Sequence, residues 1–297
     1  MHSGVLVALF AFFVFCCADA LIKSLGGAVS VFEIGFFITI FAFSTVLAFS
    51  PKGEGLGAML DMKQPKLVLA RAFAGVMSGM TVFYAFAHLP FAESYALVFL
   101  SPAIVTVMSI FFLGEEVRWR RWLAVAIGLA GVLTIVRPGF REILPGHIAA
   151  IASAFMTATT IVIVRKVGNT EKRISLLGTT FTASLIINGL LMIPDFIVPT
   201  LDQLARFAAI GVLGGIGHMS IVGAARTTPA NMVGSAHYSQ IVWAAIIGAI
   251  FFNEIPDEWT IAGIVLVCIS GLITVLREGK RGVPVGPASV SPRGRLP

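Results

Sequence analysis

Gly131-Val132-Leu133-Thr134-Ile135-Val136-Arg137 returns 140 positions later as Gly271-Leu272-Ile273-Thr274-Val275-Leu276-Arg277. At that spacing Trp119 falls on Trp259 and Val125 on Val265. A spacing of 139 sets Met80 on Met219, Ala85 on Ala224, Pro90 on Pro229, Phe112 on Phe251 and Glu115 on Glu254. Unrelated apolar helices would agree in Leu, Val and Ala. Agreement in Pro, Glu, Trp and Arg, kept in order, means that one structural unit is used twice.

Around this repeat the chain is strongly apolar. Of its 297 residues 57% are hydrophobic and 12% charged, about half the charge of a soluble domain. Crossing a bilayer takes roughly 20 helical residues. Apolar stretches of about that length occupy 4–22, 31–49, 67–89, 91–112, 119–136, 146–164, 174–193, 204–225, 231–252 and 259–276. They are continuously apolar, whereas a membrane barrel would alternate apolar and polar positions. The expected fold is an all-α membrane protein of ten transmembrane helices in two five-helix repeats, 1–140 and 141–277, with a disordered cytoplasmic tail over 278–297 rich in Gly, Pro, Ser and Arg. Five is odd, so the second copy enters the membrane inverted. With the amino terminus in the cytoplasm, seventeen of the 21 Lys and Arg fall on the inner side, leaving Lys23, Arg137, Arg141 and Arg206 outside. This places a multi-pass protein in the inner (plasma) membrane with both termini cytoplasmic.

Several function classes drop out. The net charge of +6 comes with no nucleic-acid motif. No HExxH, GxSxG or paired-aspartate arrangement offers an enzyme site. Cys16, Cys17 and Cys268 lack metal or disulfide spacing and read as packing residues, so no metal and no cofactor is expected. Ala18-Asp19-Ala20 looks like a cleavage site, but no basic residue precedes it, and the segment reads as the first span. Inverted repeats suit alternating access, because one pattern inserted both ways supports two conformations of similar energy.

The chain resembles the drug/metabolite transporter superfamily in its EamA-type, ten-helix branch. The resemblance covers about residues 4–277 and rests on Arg71 through Ala85, Pro90, Ser101-Pro102, Leu113-Gly114-Glu115 and Trp122 to Gly131. The pattern recurs more weakly as Pro229, Asn253-Glu254, Trp259 and Gly271, and Lys23 is similar to a lysine often found at that place. Within the branch the chain looks closest to exporters of the YddG type, which implies efflux of aromatic and other neutral amino acids. It departs from the fuller pattern where Asn253 replaces Gly114 and Gln240-Ile241 replaces Ser101-Pro102, which leaves open whether the halves bend alike.

A substrate site belongs near the midplane between the repeats, lined by polar or aromatic groups. The candidates are Tyr84, His88, Tyr95, Phe99 and Ser101 in the first copy, and His218, His237, Tyr238, Gln240 and Trp243 in the second. Ser101 and Gln240 are equivalent and mark the expected pseudo-twofold axis, and Pro102 frees a carbonyl near Val98 and bends its span. Each candidate has a plainer reading as a tie between helices, and Tyr84 and Tyr95 also suit the membrane interface. No Lys or Arg occupies the middle of a span, which speaks against phosphorylated cargo and for a neutral or zwitterionic one, an amino acid above all. Nucleosides, S-adenosylmethionine and lipophilic drugs are the rival cargoes. Asp19 and Lys23, four apart, read as a local ion pair; the other account makes Asp19, Glu33, Glu93 or His88 a proton-coupling site. Gly75-x-x-x-Gly79 and Gly211-x-x-x-Gly215 suit close helix packing, within a monomer or across a homodimer.

Overall fold

Continuous apolar sequence leaves the backbone no partner but itself in lipid, so each span must be helical. A computed structural model describes residues 2–48, 61–114, 119–137, 139–140, 142–167, 170–227 and 236–278. Glu115, Pro229 and the tail beyond residue 278 lie outside the described residues. In chain order the helices are α1 (His2–Leu25), α2 (Val31–Ala48), α3 (Pro65–His88), α4 (Phe91–Val98), α5 (Ser101–Leu113), α6 (Trp119–Val136), α7 (Pro145–Val167), α8 (Arg173–Met192), α9 (Leu201–Thr227), α10 (Ser239–Phe251) and α11 (Glu258–Glu278). Five stretches of 22 to 24 residues, the α4–α5 stretch Phe91–Leu113 among them, are long and apolar enough to cross a bilayer by length and composition. Since α4 and α5 together form one interrupted span, the helices make ten passes. This is a multi-pass, all-α membrane protein.

The repeat governs the packing. Span n corresponds to span n + 5, so α1, α2, α3, α4–α5 and α6 match α7, α8, α9, α10 and α11. The two long flanking contacts, α3 on α7 and α9 on α1, are therefore one contact made twice. So are α2 on α9 and α8 on α3. The contacts α2 on α8, α4 on α10 and α6 on α11 join an element to its own counterpart, which places them on a two-fold axis.

Local geometry repeats as well. Gly114, which ends α5, has φ +65°, and its equivalent Asn253 after α10 has φ +54°. Asparagine is among the few residues besides glycine that visit this left-handed region readily, so replacing the glycine does not remove the turn. Of the two small-residue motifs, Gly211 and Gly215 pack α9 tightly on α2: a Cβ there would meet Phe41 Cβ at 2.5 Å and Thr45 Cγ2 at 2.7 Å. The expectation for Gly75-x-x-x-Gly79 holds for half of the motif. Gly75 abuts Thr180, but a Cβ on Gly79 would meet nothing within 4 Å.

Candidate functional site

Phe12, Cys16, Asp19 and Lys23 recur at helical spacing and form one stripe along α1. The first three meet the centre of the bundle. The Phe12 ring stacks on His237 at 4.6 Å between centroids, and Cys16 Sγ donates to the Gln240 carbonyl at 3.8 Å. The Tyr95 hydroxyl donates to Asp19. Phe99 closes the cluster, 4.6 Å from His237 and 5.1 Å from Tyr238. Tyr95 and Tyr238 are buried, Asp19 is half-buried and His237 is exposed.

This cluster sits where both fourth spans break. In the first copy the helix stops at Val98 and restarts at Ser101, because Pro102 has no N–H to give the Val98 carbonyl; Leu100 N–H bonds Leu97 O instead, at 3.1 Å. In the second copy residues 236–237 are helical, Tyr238 is a turn and α10 starts at Ser239. Phe99 and Tyr238 are equivalent at the 139 spacing and touch. The halves therefore break alike although only one carries proline, and the axis passes between Phe99 and Tyr238, two residues before the expected Ser101 and Gln240.

The sequence matches the EamA-like transporter family twice, over residues 2–137 and 144–276. The chain belongs to this family. Relatives of this EamA-like transporter include the pseudopaline exporter CntI of Pseudomonas aeruginosa, 31% identical over 95% of this chain and 98% of that one. An S-adenosylmethionine uptake transporter of Rickettsia bellii is 24% identical over 88% and 89%. A solved crystal structure covering 94% of this chain and 99% of its own shares the fold, with TM-score 0.63 at 21% identity.

At the Lys23 end of the transporter a four-element junction closes the bundle. Lys23 Nζ donates to Leu89 O at 2.7 Å and Phe86 O at 3.1 Å, and pairs with Glu254 Oε1 at 2.9 Å. Glu254 Oε2 accepts the Phe91 N–H at 2.8 Å. A cation thus caps the carbonyl end of α3 and an anion the N–H end of α4, as the helix dipoles favour. This corrects the local pair expected between Asp19 and Lys23: each carboxylate or ammonium finds a tertiary partner instead. Beside the junction, His147 Nε2 lies 2.8 Å from Glu93 Oε1, both residues 1% exposed. On its other side His147 Nδ1 meets the Leu144 backbone, its N–H at 3.0 Å and its carbonyl at 3.3 Å. Sequence reading missed His147, since nothing in Pro145-Gly146-His147 marks it.

The remaining candidates of this transporter lie apart. Tyr84 and His88 stack on each other at 4.0 Å at the Lys23 end of α3, His88 bonded to Tyr84 O and exposed. Ser101 opens α5, half-buried. Trp243 packs edge-on against Phe13 at 5.0 Å with its Nε1 unpaired. Glu33 is buried at the start of α2 near the Ile197 backbone. The side chain of His218 is outside the described residues. Gly271 is needed where it stands, because a Cβ there would overlap the Tyr238 ring.

Proposed function

We propose that this EamA-like transporter exports a zwitterionic, amino-acid-like metabolite by alternating access, with neutral aromatic amino acids the leading cargo. The carrying observation is the Asp19 carboxylate held by Tyr95 beside the rings of Phe99 and His237. An ammonium group meets the carboxylate and a ring face, and an apolar side chain stacks within the cluster. The broken spans bring the amino-terminal end of α10 to the same level, where a helix dipole favours the substrate's carboxylate. The pseudopaline exporter relative supports efflux. The S-adenosylmethionine transporters support a second reading with the same site, since that cargo also carries an amino-acid head.

In this reading the first repeat spans 1–140 and the second 141–277, and the protein lies in the inner membrane with both termini and the tail over 278–297 cytoplasmic. The Lys23 end then faces outward and is closed, and His237 opens toward the cytoplasm. Cysteines placed at Phe140 and Thr170 should react with impermeant reagent from opposite faces, Thr170→Cys from the cytoplasm; reaction from one face sinks the inverted topology. Counterflow in proteoliposomes across the twenty amino acids, S-adenosylmethionine and nucleosides, with and without a pH gradient, tests the cargo. Exchange of zwitterions that Asp19→Asn abolishes is expected. Exchange confined to nucleosides overturns the proposal.

A further inference from the structure

Over the first spans the two copies keep a spacing of 142: α1 ends at Leu25 and α7 at Val167, and α2 starts at Val31 and α8 at Arg173. Burial follows that spacing, since Ala8 and Ala150, Ala11 and Ser153, and Cys16 and Ala158 are all buried. The turn after the span is repeated too, Ala28 N–H bonding Leu25 O at 3.2 Å and Thr170 N–H bonding Val167 O at 2.9 Å. From the third span on the spacing is 139, so α3 ends at His88 where α9 ends at Thr227. These registers set Lys23-x-x-Gly26 on Arg165-x-x-Gly168, and Phe86 on Ala225.

The flanking contacts between copies are made twice, but those of α3 within its own copy are made once. α1 and α2 both pack on α3, whereas among the described residues their counterparts, α7 and α8, make no more than slight contact with α9. A contact made twice survives when the copies exchange shapes, and a contact made once is traded for its counterpart. The α1–α3 contact therefore marks the state closed at the Lys23 end, and an α7–α9 contact belongs to the opposite state. Lys23 is the polar link of the contact that is made, its Nζ on the Phe86 and Leu89 carbonyls at the end of α3. Gly26 lets α1 come that close, because a Cβ there would fall 2.7 Å from Ala87 Cβ. Arg165, the counterpart of Lys23, stands exposed in the last turn of α7.

We propose that Arg165 does at the cytoplasmic end what Lys23 does at the other: when the transporter opens outward, α7 closes onto α9 and the Arg165 guanidinium caps the carbonyl end of α9 at Ala225 O. A cation suits that place, because the last carbonyls of a helix lack intrahelical partners and carry its negative dipole end. The inference rests on the alternating access and inverted topology proposed above and does not depend on the cargo.

Cys16, buried on α1, reports the outward-open population. In a Cys17→Ala/Cys268→Ala background, an impermeant thiosulfonate added to proteoliposomes from the Lys23 side should modify Cys16 about tenfold more slowly in Arg165→Met, the factor one charge-assisted hydrogen bond provides. Arg165→Lys, which supplies the cation that Lys23 is, should recover the starting rate. Lys166→Met, equally exposed but one residue out of register, should leave the rate unchanged. An unchanged or faster rate in Arg165→Met, a slow rate that Arg165→Lys does not recover, or equal slowing by Lys166→Met overturns the inference. Should Arg165→Met fail to fold, Arg165→Gln must slow the reaction in the same way, and an unchanged rate there overturns it equally. Labelling of Phe140→Cys and Thr170→Cys from opposite faces upholds the topology whatever Arg165 does, and a failed counterflow assay bears on the cargo alone.

Discussion

Replacing Lys23 by Met removes one ammonium and leaves three acceptors unmet: Phe86 O, Leu89 O and Glu254 Oε1. The Lys23 side chain is 8% exposed and that of Glu254 26%. Breaking a buried pair by removing one partner costs about 3–5 kcal/mol, and the partial exposure of Glu254 sets the lower end, roughly 3 kcal/mol. If the junction exists only when this end is closed, that cost falls on the closed state alone and shifts the equilibrium about 100-fold toward opening. Cys16 is a built-in reporter, fully buried on the same α1 face below Asp19 and Lys23. In a Cys17→Ala/Cys268→Ala background, an impermeant thiosulfonate added from the Lys23 side should modify Cys16 about 100-fold faster in Lys23→Met, by that same shift. Glu254→Gln keeps an acceptor for Phe91 N–H and should raise the rate by about tenfold, the loss of one charge-assisted bond. A lower melting temperature with unchanged Cys16 reactivity would refute the reasoning, because the junction would then persist through the cycle as plain support.

Gly271→Ala should destabilise the protein by about 1–3 kcal/mol, the usual cost of overpacking, and lower counterflow, since its methyl displaces Tyr238. Gly79→Ala, with nothing within 4 Å, should leave the melting temperature unchanged, and similar losses in both would discount the overlap. The Asp257 carboxyl, at the start of α11 outside the span, is held below its ordinary value first by its hydrogen bonds with Thr260 and then by Arg137. Its folded pKa is depressed, so its contribution is present above the unfolded value of about 4 and vanishes as pH falls through the folded one. Asp257→Asn should therefore flatten the acid limb of a melting-temperature profile, and an unchanged limb would assign that limb to other groups.

The ten spans and the repeat were legible because lipid imposes length and apolarity, and because Pro, Glu, Trp and Arg seldom coincide by chance. Pro102 announced the first break. Nothing announced the second, since Tyr238 ends a helix by tertiary placement rather than by lacking a donor. Asn253 read as a departure, and only its dihedral reveals the same turn as Gly114. Spacing alone paired Asp19 with Lys23, because it cannot see the carbonyl end of α3, where two backbone acceptors and Glu254 outweigh one side chain. Gly79 read as a packing residue for a related reason: small side chains permit closeness, and whether a neighbour takes the room is decided on the facing helix. The family was written in the residues, whereas the Asp19–Tyr95 and His147–Glu93 contacts needed three dimensions.

The shared register of the two interruptions conceals an inequality. Across Pro102 the missing amide can never rejoin the ladder, so the first copy is permanently articulated. At Tyr238 every residue retains its amide, and the second copy is chemically free to straighten. A cycle that asks both copies to exchange shapes would then be uneven, its two resting positions separated by whatever it costs to mend one joint and not the other.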